Sequence, residues 1–283
     1  CPPGLLGQPL LAVARTSRIT SGALIRAAVP LSESAALESG EAMLTNDTPV
    51  TWDGGKVRGR RVLRLGAIEL SSTPVRPDPV RARHVALEAV RSGGLDVASL
   101  TKNGESLRRR LALAHRVFGD PWPDVSDEAL LARAEEWLDL DALAAGRGSD
   151  ATSGLRGLLG WRESARLDEV VPETITVPSG SRIRIDYPEP GSDTSPVLAV
   201  KLQECFGWAD GPTVCDGRVR VVLHLLSPAR RPLAVTDDLA SFWASVYPAV
   251  RVENRGRYSK HPWPEDPMTA TPTKRTNRAL RGN

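Results

Sequence analysis

The feature that most restricts the fold of this chain is a hydrophobic pattern whose period changes twice. Near the N-terminus, Leu63, Leu65 and Ala67 alternate with polar residues, which is the period of a β-strand. Between residues 76 and 172 the apolar residues recur every three or four positions, as they do on one face of an α-helix. Alternation returns from residue 173. The sequence therefore predicts an α+β fold in which strands and helices occupy separate stretches.

Residues 1–75 are predicted to form a small OB-like β-barrel. Four or five short apolar runs lie here, and one short helix is expected over residues 33–44. The parity of the apolar residues switches after Gly66, and a glycine at such a switch indicates a β-bulge. Several short strands with a single helix fit a barrel of the OB type, a fold that binds oligonucleotides.

Prolines and a return of the two-residue period divide the rest of the chain. Three prolines between residues 74 and 79 end the first domain, and a helical domain is predicted over residues 76–172. Residues 173–267 are expected to form a C-terminal α+β domain, a mixed β-domain with short helices that begins with a hairpin. Residues 268–283, rich in Pro, Thr and Arg, are expected to be a basic flexible tail.

The composition is that of a globular protein of about two domains. Of the 283 residues, 25% are charged and 41% are hydrophobic, which excludes wholesale disorder. No apolar run approaches the ~20 residues of a membrane span, so no membrane partner is expected. The three cysteines are expected to be reduced thiols, which predicts a cytoplasmic protein. The net charge of +3 does not by itself indicate a nucleic-acid binder.

Motifs of common catalytic sites are missing from the sequence. There is no G-x-x-x-x-G-K-[ST] phosphate loop, no G-x-S-x-G nucleophile turn, and no H-E-x-x-H or C-x-x-C metal motif, and the four histidines are scattered. We therefore predict no catalytic residue, no metal site and no cofactor in this chain. A pair of catalytic carboxylates is not recognisable from one sequence and stays open.

The most unusual segment is G-R-Y-S-K-H-P-W-P-E-D-P at residues 256–267, where basic and aromatic residues are interleaved. Cations neutralise phosphates and ring faces stack on bases, so this composition predicts a site for single-stranded nucleic acid. Residues 249–283 carry eight Lys or Arg and three Asp or Glu, which concentrates positive charge at this end. The structural alternative is that Trp263, between two prolines, only anchors the tail. The candidate RNA-binding residues here are Arg257, Tyr258, Lys260, His261 and Trp263.

Two pairs of arginines are further candidates for RNA binding. Arg58 and Arg60 lie on a strand of the predicted barrel, and Arg182 and Arg184 share one face of the predicted hairpin. For the barrel strand the alternative is a face that is merely solvated. Arginine outnumbers lysine 32 to 5, as the codon bias of a GC-rich genome produces, so an arginine cluster is weaker support for a site here.

Several long stretches occur in an order that resembles the C-terminal region of HrpB-type bacterial ATP-dependent RNA helicases, relatives of the DEAH-box group. The resemblance covers roughly residues 8 to 277. Ser259 stands where the family usually has proline, and Cys205 where it usually has a bulkier apolar residue. The stretches are R-R-V-L-R-L-G-A-I-E-L-S at 60–71, D-V-S-D-E-A-L-L-A at 124–132, T-V-P-S-G-S-R-I-R-I-D-Y at 176–187, H-L-L-S-P-A-R-R-P-L-A-V-T at 224–236, L-A-S-F-W at 239–243 and G-R-Y-S-K-H-P-W-P-E-D-P at 256–267.

This resemblance implies a helicase whose motor domains lie outside the matching region. Two RecA-like domains with the phosphate loop and the D-E-x-H box would bind ATP and Mg²⁺, so this chain alone is not expected to hydrolyse NTP. The family also implies an accessory OB-type barrel, in agreement with the prediction for residues 1–75. The resulting hypothesis is an accessory C-terminal region that contacts single-stranded RNA and docks on the motor domains in cis.

Two rival hypotheses stay open at this point. The first is a protein–protein interaction or scaffolding module, which would hold a partner protein without RNA contact. The second is a stand-alone hydrolase, or a lipoprotein that carries its lipid on Cys1.

Overall fold

The computed structural model describes residues 10–19, 22–148 and 151–281. The chain divides into two compact units, made of residues 1–88 with 143–147 and of residues 89–142 with 148–283. The strands are β1 (Leu11–Ile19), β2 (Gly22–Pro30), β3 (Leu44–Asp47), β4 (Val50–Asp53), β5 (Lys56–Leu65), β6 (Ile68–Val75), β7 (Thr174–Thr176), β8 (Arg182–Arg184), β9 (Val197–Lys201), β10 (Thr213–Val214), β11 (Val219–Arg220), β12 (Val222–Leu226) and β13 (Pro232–Thr236). The helices are α1 (Glu33–Ser39), α2 (Pro79–Gly93), α3 (Lys102–Phe118), α4 (Asp127–Ala132), α5 (Ala134–Trp137), α6 (Leu140–Ala144), α7 (Thr152–Gly157), α8 (Trp161–Val170), α9 (Leu239–Ser241), α10 (Tyr247–Arg257) and α11 (Asn277–Arg281).

The first unit is built around a long antiparallel hairpin. Strands β3 and β4 both pair with β5 in one continuous register, and the ladder breaks between them at Pro49, which has no N–H to donate. The N–H of Arg60 still donates to the carbonyl of Pro49 (3.1 Å). Gly54 and Gly55 close the hairpin with φ angles of 56° and 78°, a left-handed conformation that glycine adopts readily. The two glycines therefore account for the tight turn, and the proline accounts for the break in the ladder.

The predicted OB-like barrel is not confirmed. Strand β6 pairs with the other edge of β5, while β1 and β2 form a separate two-stranded sheet. Among the described strands no hydrogen-bonded path joins these sheets into a closed barrel, because the outer edges of the four-stranded sheet stay unpaired. The α+β class is confirmed, with several small sheets in place of one barrel.

The predicted bulge after Gly66 has a different form. Gly66, with a φ angle of 57°, lies in the turn between β5 and β6 rather than inside one long strand. The register shift lies in the adjoining ladder, between Leu63 and Arg64. A turn and a neighbouring bulge therefore produce the parity switch that the sequence shows.

Helices dominate the N-terminal half of the second unit. Thr101 caps α3 by accepting a hydrogen bond from the N–H of Gly104 (3.2 Å). The helical spacing of Leu107, Leu111, Ala114 and Phe118 predicts one apolar stripe on α3, and the first three are buried while Phe118 is half-buried. Arg110 is also buried, at 4% exposure, and its Nε donates to the carbonyl of Val171 (2.6 Å) while its guanidinium pairs with Asp168.

The C-terminal half of the second unit contains a small three-stranded sheet. Strand β12 pairs with β9 in parallel and with β13 in antiparallel orientation. The predicted hairpin is confirmed as β7 and β8, with Ile175 opposite Ile183. A buried aromatic cluster ends at Tyr247, the first residue of α10, and consists of Phe206, Phe242, Trp243 and Tyr247.

No helix of the described residues combines the length and the apolar character needed to cross a membrane. The predicted boundaries of four parts, at residues 75, 172 and 267, stay predictions.

Candidate nucleic-acid interface

The segment after α10 is fixed to that helix by hydrogen bonds to its backbone. The hydroxyl of Tyr247 donates to the carbonyl of Pro264 (2.8 Å), and Nε of Arg251 donates to the carbonyl of Trp263 (2.9 Å). Arg251 also forms an ion pair with Glu265 (3.0 Å). Burial raises the pKa of Tyr247 to about 12, so the hydroxyl stays a donor at physiological pH. The basic segment is therefore held on a rigid element.

The two aromatic candidates of this segment are only partly available. The indole Nε1 of Trp263 donates to the carbonyl of Tyr258 (3.3 Å), and the N–H of His261 donates to the same carbonyl (2.9 Å). Trp263, Tyr258 and His261 are all half-buried. The guanidinium of Arg257 lies 5.8 Å from the centre of the Tyr258 ring. Trp263 thus has an anchoring contact, as the structural alternative expects, and keeps part of its surface in water.

The chain then returns beside the same segment. The N–H of Thr273 donates to the carbonyl of Gln203 (2.8 Å), and Thr273 is buried. The N–H of Asn277 donates to the carbonyl of Lys260 (2.8 Å), and its side-chain amide donates to the carbonyl of Ser259 (3.3 Å). Residues 273–277 are therefore tied at both ends to the second unit. The predicted flexible tail over residues 268–283 stays a prediction beyond these ties.

This return brings six cations into one stretch of surface, which we call the C-terminal basic surface. All six are exposed, and within the described part of the chain none forms an ion pair. Its members are Arg255, Arg257, Lys260, Lys274, Arg275 and Arg278.

The nearby carboxylates are mostly engaged elsewhere. Glu265 pairs with Arg251. The N–H of Met268 (2.8 Å) and the hydroxyl of Thr269 (3.0 Å) donate to Asp266, and they hold the pKa of that carboxyl below its usual value. Glu253 is exposed on α10. The basic surface therefore carries an excess of positive charge that its own carboxylates do not neutralise.

Lys201, at the end of β9, extends the positive field toward His261. Burial lowers the pKa of His261 below its usual value, and the charge of Lys201 lowers it further. His261 is therefore a neutral ring near pH 7, able to give or accept one hydrogen bond but not to supply a full charge.

The other four predicted residues have protein partners. In the first unit Arg58 pairs with Asp53 (2.7 Å), and Nε of Arg60 donates to the hydroxyl of Ser72 (2.6 Å). In the second unit Arg182 donates to the hydroxyl of Thr174 (3.1 Å from its terminal nitrogen), and Arg184 pairs with Glu173 (3.3 Å). These contacts are made along the sheets themselves. In the described part of the second unit no hydrogen bond or ion pair joins Arg182 or Arg184 to the C-terminal basic surface.

The structure thus brings five of the nine predicted residues together, and it adds cations that sequence reasoning missed. Arg255 directly precedes the segment, and Lys201 is far away in sequence. Lys274, Arg275 and Arg278 were assigned to a flexible tail. Arg255 could have been recognised as part of the basic surface only because it is close to the segment in sequence. No signal in the sequence assigns Lys201 to that surface.

Groups suited to catalysis or metal binding are not assembled in this region. Among the described residues no cluster of three or more His, Cys, Asp or Glu is placed to hold a metal ion. Cys205 and Cys215 are buried free thiols, and burial raises the pKa of Cys215 to about 11, with the charge of Asp216 as a further cause. The arrangement can attract and hold an anion. The predicted absence of a catalytic residue and of a cofactor stays a prediction.

Comparison with known proteins gives a consistent result. The family model HrpB_C, described as "ATP-dependent helicase C-terminal", matches residues 134–267. The chain is 42% identical over 238 residues to the ATP-dependent RNA helicase HrpB of Escherichia coli strain K12. This match includes 81% of the chain and 29% of the relative.

Two solved structures from Escherichia coli resemble the chain. The crystal structure of the DExH-box NTPase HrpB has a TM-score of 0.65 at 37% identity, and the match covers 94% of this chain and 34% of that one. The crystal structure of the DEAH/RHA helicase HrpB has a TM-score of 0.57 at 39% identity, with coverages of 78% and 29%. The chain therefore spans about a third of the length of these relatives.

Proposed function

The chain belongs to the HrpB-type helicases as a C-terminal region, and from that premise we propose that it is the accessory part of such a helicase that contacts single-stranded RNA. It also docks on the motor domains in cis and acts in the cytoplasm. The chain has no phosphate loop of its own, so ATP and Mg²⁺ bind to the motor and this region does not hydrolyse NTP alone.

The observation that carries the proposal is the C-terminal basic surface. Its cations lie on backbone that is tied to α10 and to Gln203, and they have no ion-pair partner in the described part of the chain. A polyanion that binds cations of this kind breaks no existing ion pair, and it releases its own counterions. Binding is therefore expected to be mainly electrostatic and to weaken steeply with salt.

Aromatic stacking is the smaller component at this surface. Trp263 and Tyr258 are half-buried, and the indole of Trp263 donates to the backbone carbonyl of Tyr258, so the protein covers part of each side chain. Arg257 already lies over Tyr258. Contact with RNA at this surface thus depends on phosphate, with little dependence on base sequence.

Docking of the chain is supported by apolar side chains that the first unit leaves exposed. They include residues on both strands of the β1–β2 hairpin, one residue on β6 and one just before β3. Exposed apolar clusters of this kind occur where a protein packs against a partner. The same observation favours the second candidate function, a scaffolding module that binds protein and not RNA. The exposed residues are Val13, Leu24, Ile25, Val29, Met43 and Ile68.

A titration of fluorescently labelled oligo(U) with the full chain tests the RNA proposal. The variant Lys274→Gln/Arg275→Gln removes two cations of the basic surface, and Arg230→Gln/Arg231→Gln removes an equally exposed adjacent pair from the β12–β13 turn. We expect the first variant to lower the slope of log affinity against log salt by about 1.4, since single strands lose ~0.7 per phosphate contact. The control pair leaves the slope unchanged.

Three results would contradict the proposal in different ways. Absence of binding at about 50 mM salt removes RNA contact altogether and favours the scaffolding module. Binding without salt dependence excludes the phosphate contacts. Equal effects of the two variants mean that the net charge of the chain, and not the C-terminal basic surface, attracts the RNA.

A further inference from the structure

One tryptophan of the second unit departs from the behaviour of the others. Trp161, the first residue of α8, is 78% exposed, whereas Trp122, Trp137 and Trp243 are all 6% exposed or less. An indole in water forfeits the stabilisation that its large apolar surface would give in a core. No buried contact of the fold therefore accounts for a tryptophan at this position.

Arg162, the next residue, also occupies an unfavourable position. The guanidinium of Arg162 lies 5.5 Å from the centre of the Trp161 ring. Arg162 is in the first turn of α8, where the helix dipole disfavours a cation. The exposed tryptophan and the cation in the first turn are each unfavourable for the stability of the chain alone. Such residues are typical of a binding site, where contacts with the ligand offset the lost stability.

The surroundings of Trp161 are polar and open. Arg156, in the last turn of α7, is exposed, and a Cβ atom added to Gly157 would meet no atom within 4 Å. Leu158 and Leu159 between the helices are half-buried. Arg162 lies over the ring, and the carboxylate of Glu163 lies against Gly160 in the same turn. These residues do not form the contiguous apolar patch that a docked protein surface requires. They have the elements of a single-strand site, an aromatic platform with positive charge beside it.

We propose that Trp161 stacks on an unpaired nucleobase while Arg162 and Arg156 face its phosphates, as a site separate in sequence from the C-terminal basic surface. Arg162 covers one face of the indole and leaves the other for the base. This inference rests on the proposed function, because it assigns a second contact to the same single-stranded ligand. It adds a stacking contact on a ring that is far more exposed than the half-buried rings of the basic surface.

The test uses the full chain with labelled oligo(A) and oligo(U) at several salt concentrations. Trp161→Ala is expected to weaken binding about five- to 150-fold, the range for loss of one stacked base, without a change in salt slope. Trp161→Phe retains a ring and recovers most of the affinity. Val235→Ala, which truncates an aliphatic side chain that is 63% exposed, serves as the control and leaves affinity unchanged. The oligo(A) complex loses more than the oligo(U) complex because purines stack more strongly.

Failure of this inference and failure of the proposed function give different results. If Trp161→Ala binds like the control while Lys274→Gln/Arg275→Gln still lowers the salt slope, the stacking site is wrong and the basic surface stands. A reduced salt slope in Trp161→Ala would mean that the ring only supports nearby cations, which also overturns stacking. If the unaltered chain binds neither oligonucleotide, both proposals are wrong.

Discussion

The strand-rich part of the first unit, residues 10–75, buries far fewer apolar side chains than the second unit does. Within the described residues 10–75 only Ala36, Val57 and Val62 are buried apolar side chains. In the second unit, by contrast, an aromatic cluster around Phe206 brings ring centres to within 5.0–6.3 Å of one another. A sheet that keeps its faces in water needs a cover, whereas a packed cluster supplies its own. The difference is consistent with the proposal that the strands of residues 10–75 dock on the motor domains.

The arginines along β5 differ in the same way from the cations of the C-terminal basic surface. On β5 and its neighbours Arg58 pairs with Asp53, Arg60 bonds to Ser72, and Arg64 pairs with Glu69. The six cations of the C-terminal basic surface form no such pair within the described residues. The arginines along β5 therefore help to hold a sheet, while the cations of the basic surface can bind a polyanion without breaking an ion pair.

The largest expected effect is on stability. Phe206→Ala should lower the free energy of unfolding by about 3–5 kcal/mol, because it leaves a cavity in the aromatic cluster. Val62→Ala, at one of the few buried positions of the first unit, should cost about 1.6 kcal/mol for two methylene equivalents. Urea unfolding measures both. A loss for Phe206→Ala as small as that for Val62→Ala would show that the aromatic cluster is not closely packed and would remove the contrast.

A smaller effect is expected from two matched tyrosines. Tyr247→Phe removes the donor to Pro264 and Tyr187→Phe the donor to Pro172 (2.7 Å), so each should cost about 1 kcal/mol of stability. Only Tyr247 holds the basic segment, so only its variant should also weaken oligo(U) binding. Equal RNA affinities for the two variants would show that anchoring of this segment does not matter.

Replacement of an exposed residue tests docking of the first unit. Ile25→Ser should change the stability of the isolated chain by less than about 0.5 kcal/mol, because Ile25 is 50% exposed. In the intact helicase the same change should lower the melting temperature, if the hairpin packs on the motor. Val235→Ser, in the second unit, is the control and should behave alike in both contexts. An unaltered melting temperature for Ile25→Ser would argue against docking through this hairpin.

The smallest expected effect is electrostatic. Lys201→Met should raise the pKa of His261 toward its usual 6.5, and NMR titration of the ring would follow it, with Lys102→Met as control. Because the folded pKa lies below the unfolded one, the unfolded chain binds more protons, and stability falls as pH drops below about 6.5. The variant should weaken that dependence. An unchanged pKa would show that Lys201 does not face His261.

Local features of the fold could be predicted from the sequence, and features that depend on distant contacts could not. The stripe of α3 and the β7–β8 hairpin follow from periodicity over a few residues. Closure of a barrel depends on pairing between β1–β2 and the larger sheet, which no local pattern specifies. The burial of Arg110 likewise depends on Val171, sixty-one residues away.

The candidate site divides in the same way. Arg257 to Trp263 could be recognised because their composition is unusual within seven residues. The return of Lys274 and Arg275 to that segment could not, since it depends on the hydrogen bond from Thr273 to Gln203. Lys201 likewise comes close to His261 only through the folding of the chain. The exposure of Trp161 is equally unreadable from sequence, because most tryptophans at such helix positions face a core.

Hydrogen exchange of the full chain, with and without oligo(U), tests the central claim most directly. Our account predicts slower exchange on RNA binding at the amides of residues 255–277, and no change on the strands that carry Arg58 and Arg60. Protection confined to the first unit, or no protection anywhere with RNA bound, would contradict the assignment of RNA contact to the C-terminal basic surface.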